Sequence, residues 1–223
     1  MNTSTLNILK NFSSINNEMR IDEGSTIAIY NKELSVYAMA ELQDDSFPKQ
    51  FGIYDLGRWL NTLNMFKGTE YTIDYQDTHM DISYDKMRIK YRYSDLSIIN
   101  QPNNAPKITD EPLFSFDLSA DQLQSILKAS SILGTTILVI DPTKMKQISP
   151  NDRGESIDNE YSLELENVEV NGDENVQAII KIQSLKLLQL DYRVEVYDKL
   201  VFFKSKDENT NVSYFVGTIK FKS

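Results

Sequence analysis

Apolar residues fall on one side of a helix in two stretches of the first half. In residues 5–17, Ile8, Leu9, Phe12 and Ile15 cluster at about 100° per residue, with Asn7, Lys10, Ser14 and Asn17 opposite. In "YDLGRWLNTLNMF", residues 54–66, Leu56, Trp59, Leu60 and Leu63 form the stripe and Arg58, Asn61 and Asn64 lie away from it. Asp55 is placed to cap the first turn of that second helix. Between the helices, "STIAIYN" and "ELSVYAMAEL" alternate as strands do; after them, "EYTIDYQ", "HMDISYD" and "KMRIKYRYS" read as an antiparallel meander. The texture then changes. "SDLSIINQPNNAPKITDEP", residues 94–112, carries Pro102, Pro106 and Pro112 and reads as an extended connector.

The second half repeats the plan. "SADQLQSILKASSILG" is a helix with Ser119 as N-cap and Gly134 closing it, with Leu123, Ile126, Leu127 and Ser130 facing one way and Gln124 and Lys128 the other. Strands follow in "TTILVID", "KMKQIS", "NEYSLELEN" and "VQAIIKI". A short helix is expected at "QSLKLLQL", 183–190, before three closing strands, "YRVEVYD", "LVFFKSK" and "SYFVGTIKF". "ILKNFSSI" at 8–15 also echoes "ILKASSI" at 126–132 if one residue is skipped. Together these patterns indicate a duplicated α+β unit, with domains at 1–95 and 113–223 joined by a connector at 96–112.

Composition narrows the function. With 223 residues, 40% of them hydrophobic, the chain can bury real cores, and with no cysteine it has no disulfide or thiolate chemistry. This fits a reducing cytoplasm. No apolar run approaches the roughly 20 residues of a membrane span, and "MNTSTLNILKN" lacks the basic start and apolar core of a signal peptide.

The formal net charge of -10 argues against a nucleic-acid binder if taken globally. Its distribution matters more. Residues 1–109 hold 11 Lys and Arg against 14 Asp and Glu, and residues 110–223 hold 12 against 19. The expected helices depart from this trend: they carry Lys10, Arg58 with Lys67 just beyond, Lys128, and Lys186, with few acids beside them. A solvated helix face explains any one of these. As a set they suit loose, sequence-blind contact with a phosphate backbone.

Two strands carry opposite charge. Lys86, Arg88, Lys90 and Arg92 share one face of "KMRIKYRY"; Glu160, Glu164 and Glu166 share one face of "EYSLELE". If both are edge strands they can pair head to tail between chains, each opposite-charge pair contributing about 0.2–1 kcal/mol. Edge charges that merely block aggregation account for the same pattern.

Catalysis finds little support. The single histidine, His79, lies among Asp74, Asp77, Asp81 and Asp85, which invites a metal site but reads better as a polar hairpin with solvated carboxylates. The sequence has no HExxH, GxxxxGK[ST], GxSxG or GxGxxG. No catalytic residue, metal or cofactor is expected.

"LKNFSSIN" and "IYDLGRWLNTL" resemble the DNA polymerase sliding clamps of T-even-type bacteriophages. The resemblance extends over the whole chain in length, element order and a Pro-rich connector, and in the second half it is strongest at "VQAIIKIQSLKL". It implies the processivity fold, with two domains per chain, each having two helices under antiparallel sheets, in a ring-shaped homotrimer. Helices would line a pore for duplex DNA, making Lys10, Arg58, Lys67, Lys128 and Lys186 pore residues and explaining a first helix without carboxylates. The strand charges at 86–92 and 160–166 would meet at the subunit interface. The implied partners are the DNA polymerase, a clamp-loader ATPase and late-transcription factors, in the cytoplasm of an infected bacterium. An apolar groove for partner peptides would involve Ile98, Ile99, Tyr214 and Phe215. The helices carry fewer basic residues than a pore would suggest. Two other readings stay open at this level: a β-rich structural protein of a phage particle, and a monomeric processivity factor that grips DNA by one basic face.

Overall fold

The computed structural model describes residues 1–100, 104–150, 155–156, 158–172 and 175–221. Pro102, in the expected connector, lies outside them. The chain divides into two compact units: 1–30 with 38–105, and 31–37 with 106–223. The cut at 105/106 falls inside the proline-rich stretch, and the short 31–37 segment goes with the second unit.

Unit 1 is built on α1 (Thr3–Ile15) and α2 (Leu56–Asn64). Asn2 caps α1 through Thr5 N–H at 2.7 Å, and Asp55 caps α2 through Arg58 N–H at 2.8 Å. The two helices meet where Asn17 follows α1: its carbonyl accepts from Leu56 N–H at 2.8 Å and its side-chain oxygen accepts from Gly57 N–H at 3.1 Å. Ile8, Leu9, Phe12 and Ile15 are buried, as are Leu56, Trp59, Leu60 and Leu63, so the helical periodicity read from the sequence is the packing periodicity.

The strands of the first half are β1 (Met19–Ile21), β2 (Thr26–Asn31), β3 (Val36–Glu41), β4 (Phe51–Ile53), β5 (Thr72–Tyr75), β6 (His79–Tyr84) and β7 (Met87–Arg92), with the end of β2 and the start of β3 in the 31–37 segment. β1 pairs antiparallel with β4, and β5-β6-β7 form the expected meander. Phe51 stands at the centre of an aromatic cluster. It stacks on Tyr93 at 4.9 Å and meets Phe47 at 5.7 Å and Trp59 at 6.3 Å edge-on. The Tyr71 and Tyr93 hydroxyls are buried without a hydrogen-bond partner among the described residues, and burial pushes the Tyr93 phenol up to about 12. After β7 the connector region begins as a single 3-10 turn, Leu96–Ile98, rather than extended chain. Ile99 then seats on Gly52, where a Cβ would stand 2.7 Å from Ile99 Cδ1 and 2.8 Å from the Ser94 carbonyl.

Unit 2 contains β8 (Phe114–Leu118), α3 (Ala120–Leu133), β9 (Ile137–Ile140), β10 (Lys144–Ile148), β11 (Tyr161–Glu164), β12 (Glu166–Val170), β13 (Ala178–Lys181), β14 (Tyr192–Val196), β15 (Leu200–Ser205) and β16 (Asn211–Gly217). The run β12-β8-β14-β15-β16 forms one antiparallel layer and β11-β10-β9-β13 another. Ser119 and Gln122 form a reciprocal capping box at the start of α3, and Gly134, with φ 71°, ends it.

The repeat is visible element by element. The C-caps Asn16 and Gly134, the strand starts Met19 and Ile137, and the strand starts Thr26 and Lys144 are each 118 residues apart. This spacing corrects the skipped residue in the sequence echo. A one-residue gap would rotate a helix by about 100°. Without it, half-buried Ser130 stands where Phe12 stands, and exposed Ile132 where exposed Ser14 stands. A buried polar chain accompanies the smaller residue. Ser130 Oγ donates to the Thr135 carbonyl at 2.7 Å, Thr135 Oγ1 donates to Gln147 Oε1 at 2.8 Å, and Gln147 Nε2 donates to the Ile126 carbonyl at 2.8 Å.

The helix expected at 183–190 is only a 3-10 turn, Ile182–Ser184. Side chains capture the backbone groups that a helix would use. Tyr192 Oη donates to the Leu188 carbonyl at 2.8 Å, and Leu188 N–H donates to Tyr214 Oη at 3.1 Å. Leu185 and Leu187 are buried with Lys186 exposed between them, which is a strand-like alternation. The α+β class holds, but among the described residues this unit has one α-helix and one 3-10 turn where two helices were expected.

Candidate nucleic-acid interface and strand edges

The outward face of the unit 1 helices is built from residues that the apolar stripes leave out. Asn7, Lys10 and Ser14 on α1, and Arg58, Asn61 and Asn64 on α2, are exposed, as is Lys67 beyond the helix. Neither helix contains a carboxylate. The Lys10 and Lys67 ammonium groups have no ion pair or hydrogen bond among the described residues. Arg58 differs, with its Nε 3.5 Å from Asp55 Oδ2. Asn17, Asp55, Gly57, Arg58, Asn61, Thr62 and Met65 line an open cleft of about 680 Å³ on this face.

In unit 2, α3 holds one carboxylate, Asp121 in its first turn, where it complements the helix dipole. Lys128 is exposed on α3 with no ion pair among the described residues, and Lys186 is exposed beyond the 3-10 turn. Sequence reading missed two apolar residues on these outward faces, Met65 at 66% and Ile132 at 71% exposure.

The basic strand is an edge strand: β7 ends the sheet β5-β6-β7. Lys86, Arg88, Lys90 and Arg92 are all exposed, and so are Tyr84 and Met87 at the hairpin tip. Arg88 is already engaged across the sheet, donating to Asp81 Oδ2 at 2.7 Å. That bond holds the Asp81 carboxyl below the usual carboxylate range. Asp81 is therefore a buried, paired residue, not the solvated hairpin carboxylate expected. His79 Nε2 stands 3.5 Å from the same oxygen. Among the described residues, no cluster of His, Asp or Glu is arranged to hold a metal ion.

The acidic stretch at 160–166 is not one strand. Glu164 ends β11, the edge of the sheet β11-β10-β9-β13, whereas Glu166 begins β12 in the other layer. The chain leaves the first sheet as Leu165 N–H donates to the Thr143 carbonyl at 3.0 Å. It then bulges at Asn167, φ 54°, where the register with β8 shifts. Glu160 pairs with Lys146 at 2.8 Å, which lowers its pKa, and Glu164 stands opposite Lys144. The other edge of this sheet is covered, since Ile219 N–H donates to the Ile179 carbonyl at 2.8 Å.

The expected groove residues lie in different units. Ile98, 54% exposed, and Ile99, seated on Gly52, belong to unit 1. In unit 2, Tyr214 is fully enclosed and Phe215 packs on Phe202 at 4.7 Å. Unit 2 has its own hollow of about 330 Å³, lined by Lys107, Ile108, Thr109, Asp110, Tyr197, Asp198, Lys199 and Leu200. No periodic pattern marks this hollow, because its lining comes from two separate short stretches, 107–110 and 197–200.

No family model matches the chain. Its sequence is 27% identical to the sliding clamp of Vibrio phage KVP40 over 98% of both chains. It is 24% identical to the sliding clamp of Escherichia phage RB69, over 97% of this chain and 95% of that one. The chain is similar over nearly its whole length to sliding clamps of T-even-type phages. Its fold is similar to that of the A. fulgidus PCNA bound to the C-terminal region of FEN-1. The TM-score is 0.69 at 12% identity, over 98% of this chain and 96% of that one. For a clamp, a helix face poor in carboxylates and sheets with open edges are the features of interest, and a particle structural protein is the less favoured reading. No helix among the described residues is long and apolar enough to cross a membrane.

Proposed function

We propose that three copies of this clamp close into a ring around duplex DNA and hold the replicative polymerase on it. The observation that carries the reading is that, among the described residues, β7, with Lys90 and Arg92 on it and Lys86 just before it, and β11, with Glu164, are both edge strands of opposite charge in one chain. A heterologous contact of β7 on one copy with β11 on the next closes into a ring when the rotation per subunit permits. The outward helix faces, with Lys10, Arg58, Lys67, Lys128 and Lys186, then meet phosphates. Weak contacts suffice because enclosure, not affinity, keeps the protein on DNA. Such a protein acts by tethering and carries out no reaction of its own.

A ring needs a clamp-loader ATPase to open it, and the polymerase docks by an apolar C-terminal peptide. Of the residues expected at that groove, Ile98, 54% exposed, is the one open to such a peptide, whereas Ile99, Tyr214 and Phe215 are buried in their own units. Late-transcription factors are further partners, and the site of action is the cytoplasm of the infected bacterial host. The domains of the clamp are 1–95 and 113–223, joined by 96–112.

Topology tests the reading. Rings loaded by the cognate loader onto nicked circular DNA should survive gel filtration in high salt and be lost when the circle is cut. Equal retention on circular and linear DNA would contradict it.

A further inference from the structure

Among the described residues, Arg58 is the one cation on α1, α2 and α3 with a carboxylate at ion-pair distance. Asp55 Oδ2 lies 3.5 Å from Arg58 Nε, while Lys10 and Lys128 have no such partner among the described residues. The same carboxylate accepts from Arg58 N–H at 2.8 Å and from Asn17 Nδ2 at 3.2 Å, so it is held in place from two elements. Capping needs an acceptor, not a charge. The other two α-helices are capped by neutral side chains, Asn2 and Ser119, and asparagine caps as well as aspartate. The charge at position 55 is therefore surplus to the cap, and it lies on the face where carboxylates are otherwise missing. Asp55 and Arg58 line the same open cleft, and the Arg58 side chain is 77% exposed. A phosphate approaching there meets a guanidinium that has a carboxylate beside it. Freed, that guanidinium would offer a forked, phosphate-matching donor set.

We infer that Asp55 is an attenuator of DNA contact: it occupies Arg58 and keeps the grip of the unit 1 helix face on the phosphate backbone low. This rests on the reading of that face as the DNA side. A tight grip would oppose sliding, so a ring that holds DNA by enclosure gains from a weak one. The competing account is that the aspartate only complements the helix dipole.

The test is binding of the full-length clamp to a short fluorescent duplex across a salt series, with D55N, D55S, R58Q, D55N/R58Q and K10E compared. Asparagine and serine both keep the cap, so two independent variants report the loss of charge. D55N and D55S should bind several-fold more tightly than wild type. Their salt dependence should steepen by about 0.9 in log–log slope for each Arg58 that gains a phosphate. The gain should vanish in D55N/R58Q measured against R58Q. K10E should bind more weakly. Wild-type binding by D55N and D55S alongside weakened K10E would overturn the inference and leave the DNA face intact. An equal gain in the R58Q background would overturn it too, since the carboxylate would then be acting on DNA directly. No change in any variant, K10E included, would instead overturn the assignment of the face itself.

Discussion

Lys10 and Lys128 stand 118 residues apart at matching positions of two repeated helices, and both are exposed without an ion pair among the described residues. Their neighbours differ: Phe12 against Ser130, Ser14 against Ile132. The lysine is kept where the packing around it is not. Reversing both, K10E/K128E, should leave the assembly mass unchanged, because neither residue touches a strand edge. Direct affinity for a short duplex at low salt should fall by about tenfold or more, the equivalent of about 1.4 kcal/mol, while loaded rings stay on closed circles by enclosure. Fluorescence titration of the duplex checks this, and wild-type affinity in the double variant would remove both lysines from the DNA face.

Gly52 admits Ile99 and the Ser94 carbonyl closer than any side chain would allow. Backbone binds backbone at the same place, since Ser94 N–H donates to the Gly52 carbonyl at 2.9 Å, so the strand cannot easily retreat. G52A should destabilise the fold by about 1–3 kcal/mol, an overpacking cost. Urea unfolding with an unchanged m-value checks it.

The Asp81–Arg88 pair sets an acid limit. Its bond depresses the folded-state pKa of Asp81 below the unfolded value near 3.9. The folded state therefore resists protonation. The contribution is fully present above about pH 4 and is lost as pH falls through the lower folded-state pKa. R88Q should be less stable than wild type at neutral pH, and the gap should narrow as pH drops toward 2. Urea midpoints across that range read the gap, and a gap that stays constant would separate the stability effect from Asp81 ionisation.

Legibility followed the strength of the periodic signal. α1 and α2 were readable because Ile8, Phe12, Leu56 and Trp59 recur with the helical period and are buried on one face. The strands β5 to β7 were readable because their alternation runs through four to six residues each. β1 and β4 were not, being three residues each, with Phe51, Gly52 and Ile53 all buried. The expected helix at 183–190 failed because Tyr192 and Tyr214 bind the backbone of Leu188 from a distance in sequence that no local pattern encodes. Gln147 read as an ordinary strand residue, yet it is fully buried and ties α3 to β10. Of the candidate site, the exposed cations were legible by their phase on the helices. The Asp55–Arg58 pair was visible only as a cap, because the sequence does not show which way an exposed arginine turns.

Solution mass, measured by light scattering across a dilution series, tests the central claim most directly. Three chains of 25.7 kDa give about 77 kDa on the closed-symmetry expectation. That mass, falling when Lys90 and Arg92 are reversed to glutamate on the β7 edge, is the result the account predicts. A single-chain mass at every concentration would contradict the ring and the enclosure of DNA with it.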